Sequence, residues 1–300
     1  MWFKNIQVYK LGNLKTFSEE ELEKVLTNEM FVPCGEHDIT KTGFEFFFED
    51  DPEEKRTRKV GSCYFFRLRT EDKLIPSSVV KDRLKARVQK YMEENDNKKP
   101  SKNEKESFKE AIIIGLAKNA FVASKYLEGY IDYDNKLLIV NAGSPKKSEE
   151  FISYLRAAFG GNLEAVPFAT SDDISSTITG WLSNHSVPKE FDVGINCELK
   201  DLDGGVISVK KHDVDTEEVT QHIENGKTAV KLELVWQKRV RFSLTSKFEI
   251  KSIKMEDIIK EDIKDELGDS KDIYNEFQAN MLMMTGDFAE IISDLERSVD

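Results

Sequence analysis

The sequence predicts an α+β fold of several parts, because strand-like and helix-like patterns intermix along the chain. Some segments place apolar residues at every second position, and others place them three and four residues apart. The 300 residues exceed the usual size of a single hydrophobic core, and 39% hydrophobic residues are enough to build substantial cores. We therefore expect two or three subdomains and a helical arm.

The N-terminal part, residues 1–75, combines strands with one helix. Ser18 and Glu21 have the spacing of a capping box, which predicts that a helix begins there. Strands are predicted over residues 3–11, 43–48 and 60–68.

Residues 76–125 form the predicted arm, which consists of two helices. Ser77 or Ser78 is expected to cap the first helix, and Ser101 with Glu104 predicts a capping box at the second. The apolar stripes contain Val80, Leu84, Val88, Tyr91 and Met92 in the first helix and Phe108, Ile112 and Leu116 in the second. Two helices joined by a short turn form a hairpin, and we expect this hairpin to project from the protein.

The arm concentrates positive charge in an acidic protein. The chain has a formal net charge of −12, yet residues 81–125 contain twelve Lys and Arg against seven Asp and Glu. A protein that binds a polyanion while it remains acidic overall must gather its cations where the polyanion lies. The candidate phosphate contacts are Lys81, Arg83, Lys85, Arg87, Lys90, Lys98, Lys99 and Lys102. The alternative is a solvated helical surface that binds no ligand.

The central part, residues 126–254, repeats the mixture of strands and helices. Helices are predicted over residues 145–159 and 216–225, and glycine follows each of them. Hairpins are predicted around residues 134–135 and 237–238. The strands are expected over residues 130–133, 136–141, 190–199 and 206–210, with two more between 228 and 244.

The C-terminal part, residues 255–300, is predicted to be helical and acidic. Residues 243–300 contain seven Lys and Arg against fifteen Asp and Glu. This charge would repel DNA, so we expect the part to face solvent or a protein partner.

Two short motifs are similar to ligand-binding loops but lack required residues. Residues 226–228, Gly-Lys-Thr, match the end of a phosphate-binding loop, but Gln221 replaces its earlier glycine. Residues 201–204, Asp-Leu-Asp-Gly, begin like a calcium loop, but Val206 and His212 stand where glycine and glutamate are required. We therefore predict a helix end and a turn.

Acidic pairs leave a metal-dependent nuclease open as an alternative. Asp132 with Asp134, and Asp213 with Asp215, are pairs that could hold Mg²⁺, and residues 198–200 have an acid-x-Lys spacing that some nucleases use. Nothing in the sequence brings these three groups together. The four histidines are scattered and have no Ser or Cys motif that would form a nucleophile–base pair. We predict no enzymatic activity, no cofactor and no metal site.

The cysteines and the lack of a long apolar run predict a cytoplasmic protein. Cys34, Cys63 and Cys197 are odd in number and lack metal or disulfide spacing, as expected in a reducing compartment. No continuous apolar region follows the N-terminal lysines, and no run approaches the roughly 18 residues that a membrane span requires.

Several motifs, in order and spacing over about the whole chain, resemble the bacterial recombination-associated RdgC family. They are Trp2-Phe3-Lys4-Asn5, Phe31-Val32-Pro33-Cys34-Gly35, Leu74-Ile75-Pro76-Ser77, Gly204-Gly205-Val206-Ile207 with Lys210-Lys211, the run TEEVTQHIENGK at 216–227, Trp236-Gln237 and Met284-Thr285-Gly286. The resemblance implies a cytoplasmic, nucleoid-associated protein that binds duplex DNA with little sequence preference. It also implies a ring-shaped homodimer around the duplex that restrains the RecA recombinase.

Three residues that are not among the cations of the arm are further candidate site residues. Lys210 and Lys211 follow an apolar strand, and the resemblance favours DNA contact over a strand-end pair balanced by local carboxylates. Phe121, at the far end of the arm's second helix, is either an ordinary core residue or an aromatic anchor of a dimer interface.

These observations predict a non-enzymatic, DNA-binding homodimer whose cations contact phosphates without reading bases. The nuclease is one alternative. The other is a protein–protein regulator whose basic arm docks on an acidic partner and does not bind DNA.

Overall fold

Helices and strands intermix in the structure, a computed structural model that describes residues 2–12, 15–48, 54–168, 174–267 and 272–299. The described residues form twelve strands and eight helices, which confirms the predicted α+β class. The strands are β1 Gln7–Leu11, β2 Thr40–Glu45, β3 Thr57–Val60, β4 Cys63–Lys73, β5 Val122–Asp132, β6 Leu137–Val140, β7 Ala165–Pro167, β8 Phe191–Lys200, β9 Val206–Lys210, β10 Thr228–Trp236, β11 Val240–Thr245 and β12 Ile250–Met255. The helices are α1 Glu19–Thr27, α2 Ser77–Glu94, α3 Lys102–Ala117, α4 Pro145–Ala158, α5 Ser175–Ser183, α6 Glu217–Glu224, α7 Asp257–Leu267 and α8 Ile273–Val299.

The strands form two antiparallel sheets. The first has the order β2-β4-β5-β6-β1-β7, with β3 also paired to β4, and the second has the order β12-β11-β10-β8-β9. The N-terminal segment joins them, because Ile6 N donates to Ile250 O at 2.9 Å and Ile253 N donates to Lys4 O at 2.9 Å. A few residues before β1 therefore tie the first sheet to β12 of the second.

Two hydrophobic clusters lie on opposite faces of the first sheet. Successive side chains of a strand point to opposite faces, so Phe65 joins the larger cluster and Phe66 joins the smaller one. The larger cluster also contains side chains of the second sheet and of α5 to α8. Trp236 is fully buried there, and its Nε1 donates to Asp294 Oδ2 at 2.8 Å. The acidic C-terminal part thus contributes an apolar face of α8 to this core.

Helices α2 and α3 pack against each other between β4 and β5. The Tyr91 and Phe108 rings lie 5.5 Å apart, and the Tyr91 hydroxyl donates to Glu104 Oε1 at 2.8 Å. In this α2–α3 pair, Val80 and Ala117 are the buried residues, and both lie near the ends that join the sheet. The β4–β5 ladder runs from the Cys63–Asp132 pair to the Lys73–Val122 pair, where the two helices begin and end.

Most predicted helices and hairpins are confirmed, with corrections at their ends. The capping boxes at Ser18 and Ser101 are both present. The prediction that Ser77 or Ser78 caps α2 is wrong, because Pro76 is the N-cap and no side chain caps the helix. The predicted hairpins β5–β6 and β10–β11 have antiparallel registers. Strands β8 and β9 form a further antiparallel pair, and β9 matches its predicted bounds.

The strand predictions fail where a local signal is weak or interrupted. The strand expected over residues 60–68 contains a turn at Gly61, whose φ of +58° separates β3 from β4. The strand expected over 130–133 is the end of β5, which begins eight residues earlier. Helix α5 and strands β7 and β12 were not predicted.

Candidate nucleic-acid interface

All eight predicted cations of the α2–α3 pair are exposed: Lys81, Arg83, Lys85, Arg87, Lys90, Lys98, Lys99 and Lys102. Lys90 Nζ lies 3.8 Å from Glu94 Oε1. Among the described residues, no carboxylate lies within ion-pair distance of the other seven. The Arg87 guanidinium lies 4.8 Å from the centre of the Phe108 ring, a stacking contact that leaves its charge unneutralised. These positive charges are therefore available to an external anion.

The turn between α2 and α3 is held in shape by its own hydrogen bonds. Asp96 and Asn97 have positive φ values of 50° and 59°, and Asn97 N donates to Met92 O at 2.8 Å. At the start of α3, hydrogen bonds from Ser101 and then from Tyr91 lower the pKa of Glu104 to about 2. The cap and the tyrosine contact thus keep Glu104 ionised and fix the second helix beside the first.

Lys210 and Lys211 lie at the end of β9, beside β8. Lys210 pairs with Asn196 in the ladder, and Lys211 N donates to Asn196 Oδ1 at 3.0 Å. Both side chains are exposed. Lys210 lines a cleft of about 230 Å³ on the polar face of the second sheet, together with Lys231 of β10 and Lys254 of β12. We call this the sheet cleft.

The sheet cleft has an excess of positive charge. Glu233 is buried, accepts a hydrogen bond from Ile195 N at 3.1 Å, and lies 3.7 Å from Arg241 Nη1. Within the described part of the chain, no carboxylate lies within ion-pair distance of Lys210, Lys231 or Lys254. The polar lining is completed by Asn196, Glu198, Ser208, Ser243 and Ser252.

Sequence reasoning missed Lys231 and Lys254. In the sequence they are ordinary strand lysines, and only the order of the strands in the sheet brings them into the same cleft as Lys210. Lys231 lies opposite Glu198 of β8 in the ladder, and Lys254 lies opposite Arg241 of β11. The sequence carries little signal for them, because β10 contains one lysine and the lysines of β12, Lys251 and Lys254, lie three positions apart instead of two.

A second and larger cleft adjoins the sheet cleft. Ser252 lines the sheet cleft, and its backbone N donates to Asn5 Oδ1 at 3.1 Å, while Asn5 lines the second cleft. Lys4 and Arg67 also line the second cleft, and Arg67 belongs to β4, the strand that leads to α2. Cations therefore recur from Lys210 across both clefts toward the α2–α3 pair.

Phe121 is 84% exposed, so its ring is not part of the core of a single chain. Leu74 N donates to Phe121 O at 2.8 Å, which holds the residue at the end of the β4–β5 ladder. Leu74 and Leu116 line a groove of about 330 Å³ beside it, and Leu74 and Val122 are also exposed. Exposed apolar residues of this kind, when grouped, mark interaction surfaces.

The two incomplete loop motifs have the structural roles that were predicted. Gly226 follows α6 with a φ of +88°, and its N donates to Ile223 O at 2.9 Å, as at a helix end. Asp201 Oδ1 accepts a hydrogen bond from Gly205 N at 2.6 Å and closes the β8–β9 turn.

The acidic pairs are engaged in local contacts. Asp132 is buried and accepts hydrogen bonds from the backbone N of Asp134 and of Asn135, each at 3.1 Å. Asp215 Oδ1 lies 2.5 Å from His185 Nδ1. In the described residues, no group of three or more His, Cys, Asp or Glu side chains is arranged to hold a metal ion.

Burial determines the reactivity of the cysteine thiols. Cys63 and Cys197 are buried and Cys34 is half-buried, and all three are free thiols. Burial raises the pKa of Cys63 to about 12 and that of Cys197 to about 11, so both are protonated and poor nucleophiles near neutral pH.

None of the helices in the described ranges has the length and apolar content needed to cross a membrane.

The chain is similar to one family of proteins over its whole length. Residues 1–300 match the family profile described as "Putative exonuclease, RdgC". The recombination-associated protein RdgC of Yersinia enterocolitica is 34% identical over 297 residues, which cover 98% of this chain and 96% of the relative. The proteins of the same name from Salmonella paratyphi B and Salmonella typhimurium are each 35% identical over 297 residues, with the same coverage.

Proposed function

Because the chain belongs to the RdgC family of recombination-associated proteins, we propose that it is a non-enzymatic protein that binds duplex DNA without sequence preference. In this proposal a ring-shaped homodimer encircles the duplex and restrains the RecA recombinase. The protein acts in the cytoplasm, on the nucleoid.

The observation that carries the DNA binding is a set of exposed cations without ion-pair partners. Seven of the eight cations predicted on the α2–α3 pair have none among the described residues, although the chain has a net charge of −12. Lys210, Lys231 and Lys254 of the sheet cleft add a second basic surface. Phosphate contacts of lysine and arginine supply affinity that does not depend on base sequence.

The position of the α2–α3 pair supports encirclement. Its residues 77–116 are buried only at Val80, and it leaves the first sheet at the exposed end of the β4–β5 ladder. Helix α2 has 18 residues and α3 has 16, so at 1.5 Å per residue the two helices extend about 27 Å and about 24 Å. Two copies would form two arms of a ring, with Phe121 near the junction where the arms meet.

Retention on circular DNA tests the proposal. The protein is bound to closed circular duplex and to the same DNA after linearisation, and both are washed with increasing salt. A ring is expected to stay on circles at salt concentrations that release it from linear DNA, because linear DNA can leave through its ends. Equal release from both forms would contradict encirclement, and no binding to either form would contradict DNA binding.

The description of the matching family supports a second candidate, an exonuclease. The two functions differ in a direct assay: end-labelled duplex is incubated with the protein with and without Mg²⁺. Release of labelled nucleotides that requires Mg²⁺ would establish the nuclease, and intact DNA in a shifted complex is expected for the binding protein. A third candidate, the protein–protein regulator, predicts no gel shift at all.

A further inference from the structure

The second cleft lies between the N-terminal segment, the β4–β5 strands, α4 and α8, and its aromatic lining has no role in the proposed function. Its volume is about 640 Å³, which is in the range of small-molecule sites. Aromatic side chains form much of the lining: Trp2, Phe3, Phe47, Phe48, Tyr126 and Phe277. Since Phe48 and Tyr126 are not fully buried, part of this aromatic surface is open to a ligand.

The charged residues of the cleft favour an anion. Among the described residues that line it, the charged ones are Lys4, Arg67, Lys147 and one carboxylate, that of Glu128. Neither Lys4 nor Lys147 has an ion-pair partner in the described residues, and both are exposed. The Arg67 guanidinium lies 4.5 Å from the centre of the Tyr126 ring, so a cation and an aromatic surface adjoin inside the cleft.

Glu128 and Asn141 add hydrogen-bonding groups beside the aromatic surface. Burial raises the pKa of Glu128, while the charge of Arg67 opposes this shift. Asn141 Oδ1 accepts a hydrogen bond from Lys4 N at 3.3 Å, which fixes the amide at the wall of the cleft. Carboxyl and amide groups are those that recognise the edges of nucleobases, and aromatic rings are the surfaces on which bases stack.

We propose that this second cleft is a nucleotide-binding site, in which the aromatic lining holds a nucleobase and Lys4, Arg67 and Lys147 hold its phosphate. The combination of rings, polar edge groups and cations matches a nucleotide better than it matches a phosphate or an apolar molecule alone. The ligand is either a free nucleotide or an unpaired nucleotide of DNA. Binding of an unpaired nucleotide of DNA rests on the proposed DNA binding, whereas binding of a free nucleotide does not.

Calorimetric titration of the full-length protein with dAMP tests the site, with adenosine and inorganic phosphate as partial ligands. We expect saturable dAMP binding that is tighter than that of either part. Lys147→Glu should weaken it by at least about tenfold, a change of 1.4 kcal/mol. Lys146→Glu is the matched control, because Lys146 is the neighbouring exposed lysine of α4 and does not line the cleft.

The DNA source is tested with a duplex that contains 2-aminopurine opposite an abasic position. Its emission should change on binding to the wild-type protein and to Lys146→Glu, and not on binding to Lys147→Glu. The same duplex with thymine opposite the probe should give no change, since its base stays stacked.

The outcomes separate this inference from the proposed function. A dAMP response alone identifies free nucleotide as the ligand, and a 2-aminopurine response alone identifies DNA. If neither responds, or if Lys147→Glu and Lys146→Glu behave alike, the inference is wrong, even where duplex binding persists. If dAMP binds at the cleft but the protein does not bind duplex DNA, the proposed function fails and the nucleotide site stands.

Discussion

Reversal of three charges at the turn of the α2–α3 pair is the sharpest test of electrostatic DNA binding. Lys98, Lys99 and Lys102 are exposed, and within the described residues none of them lies within ion-pair distance of a carboxylate. Replacing all three by Glu therefore removes no ion pair that stabilises the fold. We expect unchanged circular dichroism and thermal unfolding, together with weaker binding to every duplex sequence.

The size of the loss follows from counterion release. Each phosphate contact contributes about −0.9 to the slope of log affinity against log salt on duplex DNA, so three contacts contribute about −2.7. Salt at 0.1 M is one decade below 1 M, so at 0.1 M the three contacts contribute about 2.7 decades of affinity. Their loss should therefore weaken binding by roughly 500-fold for one α2–α3 pair. A homodimer that places both arms on DNA should lose twice as much on the logarithmic scale.

A control variant separates local contact from net charge. Lys24→Glu, Lys189→Glu and Lys247→Glu change the net charge by the same amount at exposed positions outside the α2–α3 pair. Binding is measured by anisotropy at several salt concentrations between 50 and 200 mM. An unchanged slope in the arm variant would refute phosphate contact at the turn. An equal loss in the control variant would show that only overall charge matters.

Further predictions concern the lysines at the end of β9, the exposed ring of Phe121 and the carboxylate of Glu104 at the start of α3. Lys210→Glu with Lys211→Glu should reduce duplex affinity by about 0.9 decade per phosphate contact at 0.1 M salt while thermal unfolding is unchanged; loss of folding would instead indicate a structural role. Phe121→Ser should cost over ~1 kcal/mol of dimer contact and shorten residence on circular DNA, whereas Leu202→Ser, at a fully exposed position, should not. Sedimentation that leaves the Phe121 variant equally dimeric would contradict this. Glu104, whose pKa is lowered to about 2, should stabilise the folded arm above its unfolded pKa near 4.5, and this contribution should be lost as the pH falls toward 2. Carboxyl NMR titration checks it, and a midpoint near 4.5 in the folded protein would contradict it.

Local chemistry explains why much of the fold could be predicted from the sequence. Ser18 and Ser101 each have a glutamate three residues later, so the cap is encoded within four residues. Gly226 ends α6 because a positive φ is needed there. These features depend on neighbours in the chain and not on the remainder of the protein.

Helix α5 could not be predicted because long-range packing determines it. Its sequence is rich in Ser and Thr, and no side chain caps its start. Ile178, Trp181 and Leu182 are buried in the larger cluster, and Thr179 accepts a hydrogen bond from Ala229 N of β10 at 2.8 Å. Tertiary contact thus outweighs weak helix propensity, a balance that no local pattern reports.

The same limit applies to the candidate interface. The α2–α3 cations were found because they are close together in the sequence, and Lys210 was found through a family-like motif. Lys231 and Lys254 lie 21 and 44 positions after Lys210 and line the same cleft only because of the strand order in the sheet. Charge counts along the chain detect clusters in sequence and miss those that strand pairing assembles.

A count of cations also does not show which of them have ion-pair partners, and the arginines differ in this respect. Arg56, Arg69, Arg239 and Arg241 each lie within ion-pair distance of carboxylates, at 2.9 Å from Glu23 in the case of Arg56. Arg83 and Arg87 of α2 have no such partner in the described residues. An acidic protein can therefore present a strongly positive surface, because its carboxylates pair with several arginines outside the α2–α3 pair and leave Arg83 and Arg87 without ion-pair partners in the described residues. By this reasoning, a carboxylate placed beside Arg83 or Arg87 should weaken DNA binding as much as removal of the arginine itself.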